Sequence, residues 1–183
     1  MIAFHLFLCM TLTVATAADD TTVAPAPAQT PAAAMHPPAP TVNTITQAAV
    51  TAGVLTCTSR INQVANFLTA GSQGTGAILF VPPAAPDQEL VSVSLEIPMS
   101  NAPSAYASAS FAPNQVNGCG SLYESVVYWP AMCVEVAEKN FAKFKQIGLL
   151  AKSITMLDGG PLVKIFLLPA GSGCVSIKKE VVL

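Results

Sequence analysis

The side chains that carry most enzymatic chemistry are scarce in this sequence of 183 residues. From residue 43 onward there is no histidine, which excludes histidine acid–base catalysis, Ser-His-Asp and Cys-His nucleophiles, and the commonest metal ligand. The remaining candidates are eight carboxylates: Asp87, Glu89, Glu96, Glu124, Glu135, Glu138, Asp158 and Glu180. Most of them fall on solvated helix sides, turns or polar strand faces. We therefore expect no catalytic residue, no metal site and no cofactor.

Glu124 is the exception, because it lies among aromatic residues in the segment 123–129. An apolar pocket would raise the pKa of this carboxyl group and make it a candidate acid. A solvated glutamate on the outer side of a strand is the simpler interpretation. Tyr123, Tyr128 and Trp129 could form a binding patch or belong to the core. Alternation along a strand places Tyr128 on the face opposite the other two aromatic residues.

A second candidate surface consists of hydroxyl groups on two strands, predicted over 91–97 and 104–111. In each segment apolar residues alternate with polar ones, which is typical of an antiparallel strand with one wet face. The polar faces carry Ser92, Ser94, Ser104, Tyr106, Ser108 and Ser110. Such a face can bind a carbohydrate or a partner strand, although an ordinary solvated face is the simpler explanation.

Hydrophobic periodicity predicts the elements that position these residues. One helix is expected from Thr44 or Thr46 toward Ala70, or only from about Val54 because Gly53 interrupts the pattern. A second helix is expected over 131–146. The strands are predicted over 77–81, 91–97, 104–111, 122–129, 153–157, 162–168 and 174–181. This order indicates an α+β fold, a mostly antiparallel sheet of about six to seven strands with two helices packed on it and disulfides as staples.

The positions of three strands in the sheet can be predicted as well. The strand 162–168 is apolar on both faces except at Lys164, so we expect it to be central. The last strand carries Lys178 and Lys179, charges that are typical of a sheet edge. The strand 122–129, the second helix and the strand that follows it form a β-α-β unit, whose two strands should be parallel neighbours.

Four cysteines lie beyond Cys9 of the N-terminal apolar segment: Cys57, Cys119, Cys133 and Cys174. An even number in an exported protein predicts two disulfides, with three possible connectivities. The β-α-β unit would place Cys119 and Cys174 at one end of the sheet and Cys133 about 25 Å away at the other. This geometry predicts the pairs Cys119–Cys174 and Cys57–Cys133.

The N-terminal segment indicates export. Residues 2–14 are almost wholly apolar and Ala15-Thr16-Ala17 fits a cleavage site, which predicts a signal peptide over 1–17, with an uncleaved anchor as the alternative. Residues 18–42, rich in alanine and proline, are predicted to form a disordered tether. Residues 43–183 would then form a single globular domain. No later stretch is long and apolar enough to span a bilayer.

These features favour a periplasmic or secreted, non-catalytic domain with a binding or accessory role in the cell envelope. Its partner would be an envelope protein or a glycan. Nucleic acid is excluded as a partner because the formal net charge is −2, the pI is about 5.5 and no basic block is present. Two alternatives remain open. One is a glycosidase-like hydrolase with Glu124 as acid and a second carboxyl group about 5–10 Å away, and the other is a purely structural envelope protein.

Overall fold

The computed structural model describes residues 42–100 and 102–183. Within them, eight strands form one antiparallel sheet accompanied by three helices, so the α+β prediction is confirmed with one or two more strands and one more helix than expected. The elements are α1 (Thr44–Thr51), α2 (Thr58–Thr69), β1 (Gly76–Phe80), β2 (Val91–Met99), β3 (Ala102–Asn114), β4 (Gly118–Trp129), α3 (Cys133–Asn140), β5 (Lys145–Leu149), β6 (Thr155–Asp158), β7 (Val163–Ala170) and β8 (Gly173–Val182). The predicted signal peptide and residues 18–41 of the predicted tether lie outside the described residues.

The strand order in the sheet is β1-β2-β3-β4-β8-β7-β6-β5. The last strand, β8, lies between β4 and β7, so the prediction that it forms an edge is wrong. The predicted parallel β-α-β unit is also wrong, because β8 and β7 separate β6 from β4 and each neighbouring pair is antiparallel. Lys178 and Lys179 are accommodated in a central strand because each forms an ion pair with a glutamate. The expected interior position of the strand that contains Lys164 is correct.

Two short helices, α1 and α2, occupy the stretch for which the sequence predicts one helix. Gly53 lies between them with φ of 90°, a left-handed conformation that glycine adopts readily and that ends a helix. The two predicted starts correspond to the two helices, because α1 begins at Thr44 and α2 begins at Thr58, four residues after Val54.

The helix α3 is much shorter than the expected 131–146, and Lys145–Leu149 form the strand β5 instead. The helical spacing of Phe141 and Phe144 suggested a longer helix. Instead, the two rings pack edge to face at 6.1 Å just beyond the end of α3, and Phe141 contacts Trp129 in the same way at 6.4 Å. These phenylalanines therefore close the core after the helix has ended.

The three helices lie on one face of the sheet, which we call the inner face. One hydrophobic cluster lies beneath α1 and α2 and includes Ile61, Leu95 and Phe111. A second cluster lies beneath α3 and includes Val136 and Leu167. By strand register, neither cluster contains a side chain from the opposite face, which we call the outer face.

Two disulfides are present, as predicted, but their pairing is Cys57–Cys119 and Cys133–Cys174. The predicted pairing is wrong because β8 runs antiparallel beside β4, which places Cys174 opposite Trp129 at the far end of β4 from Cys119. Cys133 follows Trp129 closely in the chain and reaches Cys174 with a Cα–Cα distance of 5.0 Å. Each disulfide joins the start of a helix to the strand beneath it.

Candidate functional site

A row of six polar side chains crosses the outer face, one from each of six consecutive strands. Directly paired residues of neighbouring antiparallel strands project to the same face. The pairing therefore aligns Ser94, Ser108, Glu124, Lys179, Lys164 and Asp158, which we call the polar row. Only a sheet with β8 at its centre brings these residues into one line.

The charges of the polar row are neutralised within it. Glu124 accepts a hydrogen bond from the Ser108 hydroxyl at 3.2 Å and forms an ion pair with Lys179 at 3.1 Å. Lys164 donates to Asp158 at 2.7 Å. The Lys164 hydrogen bond, followed by the backbone N–H of the nearby turn, holds the pKa of Asp158 below its ordinary value. The row therefore presents hydrogen-bonding groups with no net charge.

The predicted hydroxyl surface lies at the β2 and β3 end of the same face. The hydroxyl oxygens of Ser94 and Tyr106 are 3.0 Å apart, whereas the Ser92 hydroxyl donates to the Ala109 carbonyl at 3.2 Å. The side chain of Tyr106 remains 46% exposed. Tyr106 is thus the aromatic group of β2 and β3 that a partner can reach on this face.

Apolar side chains flank the polar row on both sides. One row consists of Tyr106, Val126, Ile177, Phe166 and Met156, and beyond it lies a second row of Tyr128, Val175 and Leu168. On the other side of the polar row Leu122 pairs with Val181, and these side chains are 42% and 36% exposed. We call these sets the apolar rows. They give the β4-β8-β7-β6 half of the outer face an apolar surface interrupted by one line of paired charges.

Tyr123 belongs instead to the inner face and is 2% exposed. Its hydroxyl donates to Glu180 at 2.6 Å and accepts from Lys178 at 2.7 Å. The Lys178 ammonium also lies 5.4 Å from the centroid of the Phe67 ring. These four side chains form a compact cluster beside a cleft of about 190 Å³ between α2 and the sheet.

The electrostatics of this inner cluster keep Tyr123 protonated. Burial, and then the hydrogen bond to Glu180 and its negative charge, raise the pKa of Tyr123 well above its ordinary range. Burial opposes ionisation of Glu180 as well, but the Lys178 and Tyr123 hydrogen bonds and the Lys178 charge outweigh it, so the pKa of Glu180 is lowered. The hydroxyl, ammonium and carboxylate bond to one another, as expected of a structural cluster.

Trp129 also lies on the inner face, where its indole N–H donates to the Ser176 hydroxyl at 2.8 Å. Its ring packs on Phe141 within the cluster beneath α3. Of the three predicted patch aromatics, only Tyr128 is on the outer face, at 38% exposure. The predicted site is therefore divided, with the serines, Tyr106, Glu124 and Tyr128 on one face and Tyr123 and Trp129 on the other.

Sequence reasoning missed Lys164, Lys179 and Asp158 as members of the outer surface. Each has an ordinary local explanation, as a charge in an apolar strand, at a strand end or in a turn. Their alignment with Glu124 depends on which strands are neighbours, which no local pattern reveals. The adjacent lysines Lys178 and Lys179 were the one available signal. Adjacent residues of a strand project to opposite faces, so one of the two lysines must lie on the outer face.

No protein-family model, curated protein or solved structure matches this chain. Across residues 42–100 and 102–183, no group of three or more histidine, cysteine or carboxylate side chains is arranged to hold a metal ion. No helix in the same part of the chain is long and apolar enough to cross a membrane.

Proposed function

We propose that this chain is a secreted or periplasmic, non-catalytic binding module whose outer sheet face binds a protein of the cell envelope. The observation that carries the proposal is the one-sided packing of the sheet. Both hydrophobic clusters of the described residues lie on the inner face, while the outer face carries the apolar rows. The two disulfides support export, because such bonds persist in oxidising compartments.

The chemistry of the outer face favours a protein over a glycan. Aliphatic side chains such as Val126, Ile177 and Leu122 offer apolar contact, which a protein surface can match. Aromatic residues are enriched in protein interfaces and charged residues are depleted at their centres. Tyr106 and Tyr128 fit this pattern, and the charges of the polar row are already paired. The partner surface should accordingly be apolar and close to neutral.

The size of the outer face fits a specific interface. Eight strands spaced at about 4.8 Å, with a length of roughly 20–25 Å, cover on the order of 800 Å². A standard protein complex buries about 800 Å² on each partner. The face is thus large enough for a stable complex without contributions from the inner face.

The position of Glu124 supports a binding function over hydrolysis. A glycosidase needs a second carboxyl group facing the first across a cleft, whereas the nearest charged partner of Glu124 is Lys179. By register, Glu96 lies on the same face but two strands away, at a Cα separation of about 12 Å. The two carboxylates would therefore project side by side from a flat surface.

The test is site-specific photocrosslinking in the producing cell. A photoreactive phenylalanine at Tyr128, on the outer face, is compared with the same group at Val134, which is 58% exposed on α3. We expect a discrete, saturable protein adduct from position 128 alone. Adding Ile177→Lys, which places a charge in the apolar rows, should abolish that adduct while leaving the melting temperature within a few degrees.

Three outcomes would overturn the proposal. The first is the same adduct from both positions, and the second is no adduct from position 128. The third is binding of the protein to protease-treated envelope polysaccharide that is lost on Tyr106→Ala, which would make the ligand a glycan. A purely structural role predicts no saturable adduct from either position.

A further inference from the structure

The two edges of the sheet differ in how they are protected against pairing. Exposed edge strands are usually blunted by charges, prolines or bulges. The edge strand β5 begins with Lys145, and its register shifts between Gln146 and Gly148. The other edge, β1, contains no charge and no proline, and its pairing with β2 is regular over all five residues. Its Ile78 and Phe80 side chains are 64% and 55% exposed.

We propose that β1 pairs antiparallel with β1 of a second copy of this chain, about a two-fold axis that passes beside Ile78. In this register Ile78 faces the Ile78 of the second copy. Gly76 then faces the second copy's Phe80, and Ala77 faces its Leu79. The two eight-stranded sheets would form one continuous sheet, with the outer faces of both copies on the same side.

The composition of β1 fits this register. Gly76, Ile78 and Phe80 project to the outer face, because they pair with Glu96, Ser94 and Ser92. A small residue therefore faces a large one in every off-axis pair, glycine against phenylalanine and alanine against leucine. A Cβ atom added at Gly76 would have no heavy atom closer than 3.9 Å. This space can accept the phenylalanine ring, and an aromatic residue opposite a strand glycine is a favourable cross-strand pair.

The surroundings of β1 leave the edge accessible. Ala77 projects to the inner face and is nevertheless exposed, so α1 does not cover it. Pro82 and Pro83 follow β1 after a single residue, Val81, and proline lacks the N–H needed for a ladder. The pairing is therefore confined to about the length of β1. A second copy is favoured over a foreign strand because the sequence of β1 is complementary to itself, which a closed two-fold dimer requires.

Sedimentation velocity of the full chain over a wide concentration range tests the dimer. We expect a concentration-dependent shift from the monomer mass to twice that mass. Ile78→Lys should hold the chain at the monomer mass, because two like charges would meet at the axis. Ile147→Lys on the opposite edge is the matched control and should dimerise like the unmodified chain. A monomer at all concentrations, or equal effects of both substitutions, would overturn the proposal.

Cysteine substitution tests the register and does not depend on the effect of a charge. Antiparallel partners lie about 4.5–5.5 Å apart between Cα atoms, so Ile78→Cys should give a disulfide-linked dimer on mild oxidation. In the same register, the two copies of residue 77 are about 8 Å apart, so Ala77→Cys should cross-link much less. Ile147→Cys reports random collision. Equal cross-linking of the three variants, or a stronger band from Ala77→Cys, would refute the two-fold register.

Discussion

Removing the Cys57–Cys119 disulfide by double substitution to alanine should destabilise the fold strongly. The bond closes a loop with a sequence separation of 62 residues. In the chain-entropy model, opening a loop of this length costs about 4.3 kcal/mol at room temperature. The same calculation for Cys133–Cys174, with a separation of 41 residues, gives about 3.9 kcal/mol. Cys57 and Cys119 are 1% and 3% exposed, so lost packing adds to the first value.

Urea unfolding followed by circular dichroism measures both double variants against the unmodified protein. We expect the Cys57/Cys119 variant to lose at least as much stability as the Cys133/Cys174 variant. The m value should rise in both, because an unfolded chain without the cross-link exposes more surface. Peptide mapping under non-reducing conditions first establishes the pairing. A linked peptide that contains Cys57 and Cys119 is expected.

A loss below about 1 kcal/mol for the Cys57/Cys119 variant would falsify the loop-entropy argument. A linked peptide containing Cys119 and Cys174 would contradict the sheet topology itself, since β8 beside β4 places these residues at opposite ends of the sheet.

Three further measurements follow from the fold. Because the folded pKa of Glu180 lies below its ordinary value of 4.5, its stabilising interaction with Lys178 is present above that pH and is lost as the pH falls through the folded pKa. The urea concentration at the unfolding midpoint should fall as the pH is lowered, and the fall should be smaller in the Glu180→Gln variant. The same pH dependence in both proteins would contradict this. Ile61 is fully buried, so Ile61→Ala should lower the free energy of unfolding by about 2–5 kcal/mol in the same assay. A loss near zero would contradict its core position. A chain shortened to begin at Thr41 should keep its melting temperature, whereas a drop of several degrees would mean that the part of the predicted tether before Thr41 packs on the fold.

The clearest strands can be predicted from local pattern, because burial of one face of the sheet makes apolar residues recur at every second position. In β2, Val91, Val93 and Leu95 are each at most 2% exposed and the intervening serines are only partly buried. The break at Gly53 is likewise local, because it depends on one residue's backbone freedom. In contrast, β5 has no alternation and lies at an edge, so its existence depends on pairing with β6.

The candidate site could be predicted only as far as local alternation reaches. The polar faces of β2 and β3 and the opposite orientations of Tyr123 and Tyr128 follow from a period of two. The contact between Glu124 and Lys179 does not, since the two residues belong to strands far apart in the sequence. This contact exists because β8 lies next to β4 in the sheet.

Residue types, local spacing and the even number of cysteines beyond residue 9 are enough to predict the α+β class, most of the helices and strands, and the presence of two disulfides. The strand order, the partner of each cysteine and the division of the candidate residues between two faces depend instead on how the strands assemble. The reason is that β8 inserts at the centre of the sheet, where it gains a neighbour on each side and Lys179 gains Glu124 of β4 as its ion-pair partner. Such a gain comes from contacts distant in sequence, and no local pattern encodes it.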